Sequence, residues 1–121
     1  MAKYFSESEF RKCTPACKMA DMDASFLALL DKVREKAGIP LVLNSAYRSV
    51  AYEKSKGRAG TSAHCQGKAV DIRCNTSFNR LAIIRAAIEL GIRRIGVGKT
   101  YVHLDSLIDS GHAPGIWHYY D

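Results

Sequence analysis

The chain has no long apolar run. Its hydrophobic stretches fall far short of the roughly 20 residues needed to cross a bilayer. The opening Met1-Ala-Lys-Tyr-Phe-Ser-Glu7 also lacks the apolar segment of a signal peptide. These absences set the expectation of a soluble product made in the cytoplasm, with no membrane partner and with release at cell lysis as one route out. Internal repeats, low-complexity tracts and linkers are missing too. The 121 residues, 13.4 kDa in all, then read as one domain, 1–121. There is no basic arm. Eighteen Lys and Arg against twelve Asp and Glu give a charge of +6, but the positive residues are spread along the chain, with Arg93-Arg94 the nearest approach to a cluster. With no aromatic platform to stack bases, no nucleic-acid partner is expected. Such a charge suits another polyanion, or simply a solvated surface.

The four cysteines, Cys13, Cys17, Cys65 and Cys74, come without a signal for export, so reduced thiols are the default. Cys13-Thr-Pro-Ala-Cys17 has CxxxC spacing but no second cysteine or histidine pair to complete a zinc set. A local packing or disulfide role stands beside a structural metal.

What is present is an ordinary globular composition, 47% hydrophobic and 25% charged. Residues 1 to 20 read as an irregular lead-in. Asp21 or Asp23 can cap a helix whose apolar positions Phe26, Leu29, Leu30, Val33 and Ala37 recur at helical spacing, ended by Gly38 and Pro40. Leu41 to Tyr47 reads as a strand, Val50 to Lys56 as a short helix, and Ala69 to Arg73 as a second strand. Residues 79 to 90 form a helix with Leu81, Ile84, Ala87 and Ile88 on its apolar face. Ile92–Val97 and Tyr101–Leu104 are hairpin arms, and Ile116 to Tyr120 is a last strand. The order predicts an α+β fold: a mainly antiparallel sheet, its last strands in a meander, with helices packed on one side.

Strand alternation singles out the polar residues. In Ala69-Val-Asp-Ile-Arg73, Val70 and Ile72 point one way and Asp71 the other. In Tyr101-Val-His-Leu-Asp105, Tyr101, His103 and Asp105 share the face opposite Val102 and Leu104. If both strands lie in one sheet, Asp71, His103 and Asp105 converge. His64 precedes Asp71 by seven residues with Gly67 between them, so a tight turn can fold the histidine back beside the carboxylate. Two histidines and one aspartate make a metal set of the catalytic kind, with a position left for water. Taken singly, each residue has a structural explanation as well.

The string Ser62-x-His64-x-x-Gly67-x-Ala69-x-Asp71 is preceded by Ser45-Ala-Tyr-Arg48 and followed by Val102-His103-Leu-Asp105. This pattern resembles the zinc D-Ala-D-Ala peptidases of the M15 family, most of all the compact enzymes of phages and bacterial cell-wall hydrolases. The resemblance implies the hedgehog/DD-peptidase-like fold and a Zn2+ cofactor held by His64, Asp71 and His103. It also implies hydrolysis of D-Ala-containing bonds in peptidoglycan peptides, by a D,D-carboxypeptidase or an endopeptidase. Arg48 matches the family arginine that steadies the polarised carbonyl or a substrate carboxylate, and Ser62 the serine near the substrate's terminal carboxylate. Tyr47 borders the pocket or packs in the core. Several relatives place a histidine or a carboxylate two or three residues before the last zinc histidine, whereas Tyr101 and Thr100 stand there in this chain. Asp105 and His118 are then the candidate bases, with Asp105 equally suited to orienting His103. A non-catalytic, zinc-stabilised binding module of the same fold is the alternative. A monomer is expected.

Overall fold

The computed structural model describes residues 2–119. A five-stranded sheet in the order β1-β2-β4-β3-β5 organises them. The strands are β1 (Leu43–Ser45), β2 (Ala69–Arg73), β3 (Arg94–Val97), β4 (Tyr101–Asp105) and β5 (Gly115–His118). Four helices accompany them among the described residues: α1 (Glu7–Arg11), α2 (Ala24–Ala37), α3 (Val50–Ser55) and α4 (Ser77–Glu89). As the order of the elements predicts, the sheet is mostly antiparallel. β4 sits in the middle between β2 and β3.

β5 departs from the expected meander. Both edges of β4 are already taken, so the chain crosses residues 106–114 and adds β5 parallel to the free edge of β3. Tyr120, expected at the end of this strand, lies outside the described residues.

One face of the sheet is closed by helices. Val70, Ile72, Ile95, Val102 and Leu104, each 1% exposed or less, pack with Phe26, Leu30 and Val33 of α2 and Ile83, Ala86 and Ala87 of α4. Full burial of each large apolar side chain stabilises by about 1.5–3 kcal/mol, and this layer holds the strands in register. Asp23 supplies the α2 cap, its carboxylate accepting from Phe26 N–H at 2.9 Å. Gly38 ends the helix at φ +72°. Asp21 instead closes a short 3-10 turn, accepting from Lys18 N–H.

Two expectations need correction. Helix α4 buries Ile83, Ala86 and Ala87, whereas Leu81 and Ile88 are 63% and 52% exposed. The helix carries apolar residues on most of its sides, so its sequence period does not select the face that α2 and β4 cover. The lead-in contains helix α1, started where the Glu9 carboxylate accepts from Ser6 N–H at 2.7 Å. Ser6-Glu-Ser-Glu9 has the spacing of a capping box.

Among the described residues no helix is long and apolar enough to cross a membrane.

Candidate metal centre and cleft

The open face of the sheet carries the chemistry, and the strand register explains its layout. Ser45 pairs with Asp71, Asp71 with His103, His103 with Gly96 and Gly96 with Trp117. These five residues form one row across the sheet. Side chains in such a row stand roughly 5 Å apart on a common face, so Asp71 and His103 meet by construction. The neighbouring row, Ala69–Asp105–Arg94–Gly115, places Arg94 against Asp105 in the same way.

His64 reaches the row from the 3-10 turn Ala63–Gln66. Gly67 follows at φ +68°, where a Cβ would collide with the backbone of Asp21 and Asp23. Only glycine fits that close crossing, and the crossing turns His64 back toward β2. His64 is 3% exposed. Its Nδ1–H donates to the Ala46 carbonyl at 2.6 Å, leaving the Nε2 lone pair 3.5 Å from Asp71 Oδ1. His103 turns Nδ1 to the same Asp71 oxygen at 3.0 Å and donates Nε2–H to Asp105 at 2.6 Å. Ligand atoms of His64, Asp71 and His103 all lie within 4.8 Å of one another.

The donor set fits a divalent cation. One imidazole nitrogen of each histidine is fixed outward by a carbonyl or a carboxylate, the arrangement that presents the other nitrogen to a metal. Burial opposes a charge on His103, yet the flanking Asp105 and Asp71 outweigh it and raise its pKa above the ordinary 6.5. The two carboxylates thus favour the charged form of the ring, whose Nδ1 faces Asp71. Burial also works against ionised Asp71, but His103 and His64 hold it far below the usual carboxylate range.

Around this cluster lies an open cleft of about 520 Å³. Arg48 donates to Asp71 Oδ2 and to Ser45 Oγ, both at 2.9 Å. Asp105, 1% exposed, has both oxygens committed: one to His103, the other to Arg94 Nε at 2.6 Å and Leu107 N–H at 3.2 Å. Burial would raise its pKa, but the bonds to His103 and Arg94 keep it low. Tyr101 lines the cleft beside Asp71, and burial together with that charge pushes its phenol up, so it is a donor rather than a base. Trp117 and Tyr119 form the far wall. Arg94 stacks on Trp117 with 4.9 Å to the ring centroid. A side chain at Gly96 would meet Trp117 Nε1 at 2.7 Å and Tyr119 Cε2 at 2.6 Å, so the bare strand is what lets both aromatics lie over the sheet.

The cleft brings together His64, Asp71, His103, Asp105, Arg48 and Ser62. Two predicted site residues are placed elsewhere. Tyr47 is half-buried against the apolar core and does not line the cleft. His118, on β5, alternates with the cleft-facing Trp117 and Tyr119 and is exposed outside it. Sequence reasoning missed Glu53, Arg58 and Arg94 in the cleft, and did not place His112 there. Pairing the hairpin arms residue by residue would have put Arg94 opposite Asp105. For Glu53, one glutamate on a polar helix, no comparable signal exists. Around Cys13 and Cys17, no third His, Cys, Asp or Glu completes a metal set among the described residues.

Fold and site together define the class: an α+β sheet carrying a possible two-histidine, one-aspartate metal site on the floor of an open cleft. The sequence-family model described as peptidase M15 matches residues 3–105, and the chain belongs to the M15 peptidase family. No curated protein matches it. Among solved structures, the crystal structure of the L-Ala D-Glu endopeptidase ChiX of Serratia marcescens is similar, with a TM-score of 0.56 and 19% identity over 88% of this chain and 90% of that one. At that identity the likeness is one of fold.

Proposed function

We propose that the chain is a zinc-dependent peptidase that cuts peptidoglycan peptides at D-amino-acid-containing bonds and acts as an endopeptidase. The observation that carries this reading is the convergence of His64, Asp71 and His103 at the floor of a cleft roomy enough for several residues. These three side chains would hold the zinc, which when bound supplies Lewis acidity at a carbonyl and a water of lowered pKa. Arg48, part-exposed beside Asp71, offsets charge developing on the carbonyl oxygen. Asp105 orients His103, and Arg94 fixes Asp105. Its committed oxygens favour this orienting task over the base role, and the position of His118 outside the cleft argues against that residue as base.

The cleaved bond has two candidates. The M15 pattern suggests a bond next to D-Ala, and the fold shared with an L-Ala D-Glu endopeptidase suggests the L-Ala–D-Glu bond. Incubation with peptidoglycan and with isolated stem peptides, with and without chelator, followed by mass spectrometry of the products, tests all of this. Loss of one terminal alanine marks a carboxypeptidase, and cut stems or cross-links mark an endopeptidase. Among the described residues every carboxylate lining the cleft is already paired, which favours a second reading, a zinc-stabilised binding module. Absence of cleavage at full zinc occupancy would select it.

A further inference from the structure

Beneath the cleft lies a charged group with no part in the metal site. Glu53 on α3 is 1% exposed. One of its oxygens accepts from Ser62 Oγ–H at 2.9 Å, the other from Arg58 at 2.7 Å, with Arg48 3.8 Å away. Burial disfavours its charge, but Ser62, Arg58 and Arg48 together hold the pKa below the ordinary value. An ionised carboxylate only accepts hydrogen bonds. The single hydroxyl proton of Ser62 is therefore spent on Glu53, since the Cys65 sulfur at 3.9 Å is a far weaker rival.

Among the described residues no donor uses the remaining lone pairs of Ser62 Oγ. Ser62 stands at the start of a 3-10 turn, yet its side chain caps no backbone N–H, unlike Ser49, Asp23 and Thr76 at their helices. It is half-buried and lines the cleft. The oxygen next to the metal cluster thus offers the substrate acceptor character alone. A terminal carboxylate placed there would face it with no proton between them. An ammonium group would meet Arg48 and Arg58, two positive charges on one carboxylate. A neutral amide N–H suits the place.

Resting on the peptidase reading, we infer that Ser62 accepts a hydrogen bond from a backbone N–H of the substrate, with Glu53 as the positioning residue that fixes the direction of its hydroxyl. The bound peptide then continues past Ser62 instead of ending there. Arg58, bonded to Glu53 but with its side chain 51% exposed at the rim, keeps outward guanidinium donors for an acidic side chain of that peptide.

The test is an amide-to-ester scan of the non-scissile positions in a cleaved stem peptide. Each replacement removes one N–H without adding bulk. In zinc-loaded wild type, one position should raise KM at least about tenfold, the value of one hydrogen bond, with kcat nearly unchanged. Ser62→Ala should raise KM for the all-amide peptide by a similar factor and erase the ester penalty. Ser62→Thr, which keeps the oxygen, should restore both. Glu53→Gln can donate to Ser62 and free its proton, so the penalty should shrink while zinc content stays full. Should Glu53→Gln fail to fold, the Ser62 variants decide alone. Equal ester penalties in wild type and Ser62→Ala overturn the inference. If no wall peptide is cleaved, the peptidase reading fails separately, and the same comparison is made on dissociation constants of the zinc-loaded protein for the uncleaved peptides, with equal penalties again overturning the inference. Wall peptides that neither are cleaved nor bind overturn both.

Discussion

The two faces of the sheet are built from the same strands and solve opposite problems. On the helix side, Val70, Ile72, Val102 and Leu104 meet α2 and α4 in a dry layer with no chemistry. On the cleft side, the alternate residues Asp71, His103 and Asp105 meet Arg48, Arg94, His64 and one another, and the ring of His64 is held in turn by the Ala46 carbonyl. One face pays for the other: apolar burial on the helix side keeps three interacting ionisable groups together that would otherwise spread into water. Register is what links the two, because a slip of one residue would exchange the faces.

That division can be broken at either face. The largest effect is expected from His64→Ala, which should abolish both metal binding and any metal-dependent cleavage while leaving the metal-free fold intact. Metal analysis alongside a thermal melt in chelator checks it. Phe26→Ala is the mirror experiment. It should destabilise by about 3–5 kcal/mol, read from denaturant midpoints, while the molecules still folded bind metal normally. If Phe26→Ala weakened metal affinity as much as it weakened folding, the faces would not be separable.

Smaller changes sharpen the contrast. Asp105→Asn keeps the shape but loses the charge facing His103 Nε2–H, so zinc affinity should fall about 10–100-fold, measured by competition with a chelator. Zinc must also displace the proton on His103. Since that pKa is raised in the metal-free fold, affinity should fall as pH drops through it, and binding above pH 6.5 should still release a proton, seen by titration in two buffers of different ionisation heat. The same raised value means that metal-free stability gained from protonated His103 is present at low pH and fades as pH rises through the folded-state pKa. The smallest expected effect lies at the edge of the apolar core, beside β1. Burial and the nearby Cys17 push the Cys13 thiol up to about 12, so it should resist alkylation at pH 8 until the chain unfolds.

Much of this layout can be read from residues 69–73 and 101–105 alone, because alternation in a strand has only two phases and apolar neighbours declare which one is buried. Arg48, Ser62 and His64 were legible for another reason: the spacing around Gly67 belongs to a family pattern. Less could be read where periodicity is ambiguous or where contacts are distant in sequence. Helix α4 is apolar on several sides, so its spacing picks Leu81 and Ile88 for the buried face and passes over Ile83. Nothing local tells β5 to join β3 in parallel, since that depends on which sheet edge is vacant. Glu53 pairs with Ser62, nine residues on, across a loop whose path no pattern announces.

Gly96 has a consequence of a different kind. The far wall of the cleft rests on a strand position with no side chain, with the rings of Trp117 and Tyr119 lying where a Cβ would be. A single methyl group there would act as a wedge under Trp117 and Tyr119, lifting the wall and, through Arg94 stacked on Trp117, loosening the hold on Asp105. The width of the groove is thus tied to the side chain at this one strand position, which also pairs with His103, so a change at Gly96 would alter both what fits the groove and how firmly its floor is held.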